Sequence, residues 1–379
     1  MIQALLVRIV ASASLLCGGS AQVPSTPVAD EPLPAYRAEL LDLAFRTASA
    51  MPSEPHLKNR CRAQAAVVEA CFELDQPRRA LGYVEQISNW RRGAGYADFA
   101  VYCARHGDAD EARRYADRAL EISAQAEKEG SQDWQQDRIR AKVASASTGG
   151  AKAPEKEDVD ALLVAVDAVV LKGDFDQIRS ALEDCARGFD AHFADVERRT
   201  RLERKLKSSW DKLPIAVRME LMMELAGFAL GHEDRAKALE LVNDARTIVD
   251  RFEWKTETLV PVEAKLAALR FRAGDAKKAR TEVDGAWALF DSDRASVVDI
   301  YRARTLRPVA EAYHAMGDRT SALKVYRAAV GAGVENPNSR PRAEDLSATC
   351  CSMARSGFEP DEALRARLLE IFRSLGPPW

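Results

Sequence analysis

Ala100–Ala119 (AVYCARHGDADEARRYADRA), Ala267–Ala286 (AALRFRAGDAKKARTEVDGA) and Ala310–Ala329 (AEAYHAMGDRTSALKVYRAA) share one spacing. In each, a small residue stands seven before a Gly-Asp turn, an Ala follows that Gly by five, and another Ala comes seven later. Ala226–Ala245 carries a less regular copy. The spacing has a physical reading. Gly ends one helix in a left-handed conformation that other residues adopt at a cost, and the following Asp caps the next helix. The Ala pairs Ala112 and Ala119, Ala279 and Ala286, and Ala322 and Ala329 then fall on one face of that second helix. Small side chains there let two antiparallel helices approach closely. No alternating strand pattern of six or more residues appears between the turns, so the sequence predicts an all-α chain of tandem antiparallel helix pairs.

Weaker copies extend the pattern, with turns at Asp75, Gly173, Gly231 and Gly357. Asp75 replaces the turn Gly, Ile178 replaces the first Ala, and the copies at Gly231 and Gly357 carry small insertions. The turns at 75, 107, 173, 231, 274, 317 and 357 are 32, 66, 58, 43, 43 and 40 residues apart. The 66-residue gap is expected to hide a degenerate copy whose first helix is Asp133–Ser147, followed by a loop or hinge near 148–157. Gly188–Pro214 has a helical apolar stripe (Val196, Leu202, Leu206, Trp210, Leu213) and no Gly-Asp turn, which predicts one long helix.

Tyr96, Ala100, Gly107, Ala112 and Ala119 stand in the order of the tetratricopeptide repeat, as do Leu306, Val309, Ala310, Tyr313, Gly317, Ala322, Tyr326 and Ala329 with Leu for the leading aromatic. The chain resembles that family in divergent copies, since spacings of 40 to 43 exceed its unit of about 34 residues. The resemblance implies a right-handed α-solenoid with a concave binding face lined by the first helix of each pair. On that register, Arg62, Glu69 and Phe72 line the groove in the first clear repeat, and Phe271, Arg304, Arg307, Glu311 and His314 line it toward the far end. Mixed charge with isolated aromatics favours a peptide or protein partner over a phosphate backbone.

The N-terminus reads as a secretory signal peptide over 1–21, with Arg8 ahead of the apolar run Ile9 to Cys17 and small residues at Gly19-Ser20-Ala21. Cleavage is expected after Ala21. Lipid attachment at Cys17 is the alternative, disfavoured by bulky Leu where such motifs carry a small residue. Residues 22–34, with Pro24, Pro27, Pro32 and Pro34, read as a linker, and 35–379 as the repeat array. No later segment has the ~18 uninterrupted apolar residues of a membrane span. The expected location is periplasmic or extracellular.

A net charge of −3 supplies no overall pull toward nucleic acid. No nucleotide loop, zinc-protease helix, nucleophile elbow or calcium loop appears, and the five histidines are scattered, so no cofactor or metal is expected. The basic run Asp195 to Lys207 reads as a solvated helix face, and the cysteines after the leader as buried, reduced thiols. The functional expectation is a non-catalytic protein- or peptide-binding scaffold. The alternative is a helical-toroid or solenoid enzyme acting on envelope polysaccharide, with carboxylates drawn from separate helices.

Overall fold

The computed structural model describes residues 27–128, 133–147 and 158–379, so the expected signal peptide and the break near 148–157 lie outside the described residues. Within them the chain is helical, without strands. Eight helices form an inner layer: α2 (Ser53–Glu73), α4 (Arg91–Arg105), α6 (Asp133–Ser147), α8 (Phe175–Ala191), α10 (Ile215–Gly231), α12 (Thr256–Arg272), α14 (Asp299–Ala315) and α16 (Ser339–Ser356). The others lie outside it: α1 (Ala35–Ala50), α3 (Pro77–Val84), α5 (Ala109–Lys128), α7 (Asp158–Lys172), α9 (Val196–Ser209), α11 (Arg235–Val249), α13 (Ala276–Asp293), α15 (Arg319–Ala332) and α17 (Glu362–Arg373).

The turns work as the spacing requires. Gly107, Gly274, Gly317 and Gly357 have φ of 80°, 104°, 80° and 75°. The amide after each Gly reaches back to close the preceding helix, as in Asp108 to the Cys103 carbonyl at 2.9 Å and Asp318 to Tyr313 at 3.0 Å. The same Asp then caps the next helix: Asp275 accepts from the Lys278 amide and Asp318 from the Ser321 amide. All six spaced Ala residues are buried, so α4 with α5, α12 with α13, and α14 with α15 are tight pairs.

Two local expectations change. Gly188–Pro214 is not one helix: α8 ends at Ala191, and Asp195 caps a separate α9 by accepting from the Arg198 amide. In the copy at Gly231 the left-handed position falls on Glu233, at φ 61°, and Asp234 caps α11. The Pro-rich stretch is docked in its described part. Val28 is buried, its amide donates to Asp108, and the Glu31 amide donates to the Asp75 carbonyl at 2.9 Å.

The ends of the chain meet. α1 packs along α16 and is its main outer-layer partner, in place of α17, while α2 packs beside α16 in the inner layer. The inner helices therefore follow one another in space as α6, α4, α2, α16, α14, α12, α10, α8. The array runs through its own termini. One core joins residues from 28–146 with residues from 260–371, and a second occupies 159–273. The two meet at α12, where Val260, Ala264 and Ala267 belong to the first and Val262 and Leu266 to the second.

Candidate functional site

The inner layer carries two clefts that share a wall. The first, about 510 Å³, lies between α2, α4 and α6, and the second, about 380 Å³, between α2, α12, α14 and α16. Ala66 on α2 lines both. Ion pairs cross the seam between the helices from the two chain ends: Arg62 to Glu344 at 3.0 Å and Arg355 to Glu73 at 2.6 Å.

This geometry gathers most of the sequence-derived groove residues. Arg62, Glu69 and Phe72 line the first cleft, and Arg304, Arg307 and Glu311 the second. Sequence reading placed these sets at opposite ends of an array, whereas closure sets them on adjoining stretches of one surface. Arg307 is half-buried and held by Asp345 at 3.1 Å, and Glu311 accepts a hydrogen bond from the Ser352 hydroxyl. Arg304 is exposed, its guanidinium 4.2 Å from the centre of the Tyr301 ring.

Two of the set stand apart from both clefts. His314 packs edge-on against Phe358, with ring centres 5.4 Å apart, at the turn between α16 and α17. Burial, with Arg319 alongside, holds its pKa below the ordinary value. Phe271 is half-buried near the end of α12 and lines neither cleft.

Residues that the sequence reading missed complete the face. Trp90 just before α4 and Arg91, Asp98, Tyr102 and Arg105 on it, with Arg138 and Lys142 of α6, line the first cleft, and Lys265, Glu344 and Arg355 line the second. The signal was present: Arg91, Asp98 and Arg105 are seven apart, as are Arg62 and Glu69, so each set falls on one helix face. Phe72 and Tyr102 form an aromatic floor with ring centres 5.8 Å apart, and the Tyr102 hydroxyl donates to Asp75 at 2.9 Å.

Elsewhere, polar groups are occupied by structural work. In the basic run of α9, Arg198 pairs with Asp195, Arg199 with Asp234, Arg201 with Asp160, Lys205 with Asp167, and Lys207 with Glu203 and Asp244. Glu203, Glu240 and Asp244 approach one another, but Lys207 and Lys237 sit among them, the latter 2.7 Å from Glu203. Burial alone would push the Glu203 carboxyl up, yet hydrogen bonds from the two lysines hold it below the usual range. The six cysteines of the described chain are buried and unpaired. Burial pushes the Cys103, Cys185 and Cys351 thiols up to about 12, which keeps them protonated and unreactive at neutral pH.

No protein-family model matches the chain, and no curated protein matches it. Among solved structures it is similar to a "Circular tandem repeat protein with novel repeat topology and enhanced subunit contact surfaces" at 15% identity. That likeness covers 89% of this chain and 94% of the other, with a TM-score of 0.29. No described helix is long and apolar enough to cross a membrane.

Proposed function

We propose that this chain is an exported, non-catalytic scaffold whose right-handed, tetratricopeptide-like array holds an extended peptide or protein segment on its concave face. The observation that carries this reading is the continuity of the two clefts across α2, with Ala66 common to both. A long, shallow surface lined by arginines, single carboxylates and aromatic rings suits an extended chain, which offers backbone, charge and apolar groups in alternation. Helix pairs supply such a surface because stacked neighbours bury a continuous core between them and leave the inner wall free.

A second reading, a helical-toroid enzyme acting on envelope polysaccharide, is favoured by two observations. The chain closes through its ends, and burial raises the Glu73 carboxyl in the groove one helical turn from Glu69. Against it, Arg355 engages Glu73 at 2.6 Å, an ion pair that favours the ionised form over a proton donor. Incubation with cell-wall polymers separates the two: chain cleavage that disappears in Glu73→Gln would establish the enzyme.

The scaffold reading is tested by affinity capture from envelope extract. Arg138→Glu combined with Arg304→Glu is expected to weaken capture of the specific partner by about 1–3 kcal/mol. Arg198→Glu with Arg204→Glu, on the outer helix α9, is expected to leave it unchanged. Equal losses from both double variants would point to nonspecific charge attraction and contradict the reading.

A further inference from the structure

The concave face has a charge of its own. Nine basic and five acidic side chains line the two clefts, five against three in the first and four against two in the second. The chain as a whole is acidic, at −3. Four of the five acids are already engaged: Glu73 by Arg355, Asp98 by Lys142, Glu344 by Arg62, and Glu311 by the Ser352 hydroxyl. The surplus is therefore positive, and it falls in two places.

On the α4–α6 side, Arg91 lies half-buried with its guanidinium 4.6 Å from the centre of the Trp90 ring. Its Nε is shut off from solvent and has no hydrogen-bond partner. Burial, then Arg138, then Arg62 push its pKa down, so its charged neighbours are cations rather than a carboxylate. On the α12–α14 side, Arg304 and Lys265 face the second cleft. Among the described residues no carboxylate forms an ion pair with Arg91, Arg138, Arg304 or Lys265. Between the two cation groups lies the α2–α16 seam, already bridged by its own ion pairs.

We infer that one extended acidic segment of a partner protein lies across this seam, its carboxylates on Arg91 and Arg138 at one end and on Arg304 and Lys265 at the other. The inference rests on the peptide-binding reading above and names the chemistry of the partner. Carboxylates placed between like-charged guanidinium groups remove their mutual repulsion and add bidentate, charge-assisted hydrogen bonds. Arg91 is half-buried, so a pair made there is screened less by salt than those made at the exposed Arg138, Lys265 and Arg304. The lengths agree. From α6 to α14 through α4, α2 and α16 is four inter-helix steps of about 8–10 Å, or about 30–40 Å, the span of an extended segment of about twelve residues.

Fluorescence anisotropy with the full chain tests this, using a labelled peptide of about twelve residues in which Glu alternates with Ala. Three competitors accompany it: the same peptide with Gln for Glu, a half-length Glu peptide, and single-stranded DNA of similar span. The Glu peptide is expected to bind. The Gln peptide and the half-length peptide are expected to bind at least about tenfold more weakly, and Arg138→Gln and Arg304→Gln each to weaken the full-length peptide about five- to tenfold. Circular dichroism of both variants keeps a folding defect from being read as lost contact.

Each contrary outcome strikes a different step. Equal binding of the Gln peptide would overturn the acidic partner and leave peptide binding standing. Equal binding of the half-length peptide, or a loss in only one of the two variants, would overturn the crossing of the seam. DNA bound as tightly as the Glu peptide would make the partner a nucleic acid. Absence of binding by either peptide would overturn the inference, while the peptide reading stands or falls separately on capture of a partner from envelope extract.

Discussion

His314 has a proton equilibrium displaced by its surroundings, which turns a packing contact into a pH dependence. Burial and the nearby Arg319 disfavour the imidazolium, so the folded pKa lies below the ordinary 6.5. The folded state therefore binds this proton less readily than the unfolded chain. Its contribution to stability is complete above about pH 6.5 and is lost as pH falls through that value toward the folded pKa. Urea unfolding at about pH 7 and about pH 5 is expected to show a smaller pH-dependent loss for His314→Gln than for the native chain. An unchanged loss would mean that His314 is not the group responsible. At the same scale the turns were the most legible feature, since a Gly followed by a capping Asp states its own backbone geometry. The copy at Gly231 misled because the insertion moved the left-handed position to Glu233, at φ 61°, a residue type whose side chain gives no sign of it.

Helix α1 shows what an element can do that local pattern cannot reveal. Its apolar residues Leu40, Leu41, Ala44 and Phe45 are buried, as an amphipathic helix requires, but their main partner is α16, some three hundred residues away in the sequence. Periodicity tells which face of a helix is buried and never against what. The contact is close: Ala48, Met51 and Ala343 are fully buried together, and the Tyr36 hydroxyl donates to the Gly357 carbonyl at 2.9 Å. Ala48→Glu places an unpaired carboxylate in that contact and is expected to cost about 3 kcal/mol or more. Ala315→Glu, at an exposed position at the end of α14, is expected to cost less than about 0.5 kcal/mol. Chemical denaturation distinguishes them, and equal midpoints would show that α1 does not hold α16. For the basic helix α9 the sequence indicated a solvated face. Its distant carboxylate partners, Asp160 and Asp167 on α7, Asp234 at the cap of α11 and Asp244 on α11, became visible only in three dimensions.

At the scale of the molecule, the helical class could be read from spacing, and six of the residues that the tetratricopeptide resemblance implied for a groove line the two clefts, whereas the closure that sets those clefts side by side could not be read. Arg62 and Glu344 are 282 positions apart in the chain, and no repeat period encodes that they meet. The same closure explains why α2 belongs to both clefts and why one core contains both ends of the chain. Closure therefore fixes a distance between α2 and α16. Spin labels at Arg62→Cys and Glu344→Cys report it by pulsed electron resonance in a Cys17→Ser background, the six native cysteines among the described residues being buried and poorly accessible to the label. Neighbouring helices lie about 8–10 Å apart, so with the length of two labels a single short distance of about 25 Å or less is expected. An open array would place the labelled helices seven steps apart, and a population centred near 60 Å would contradict the account.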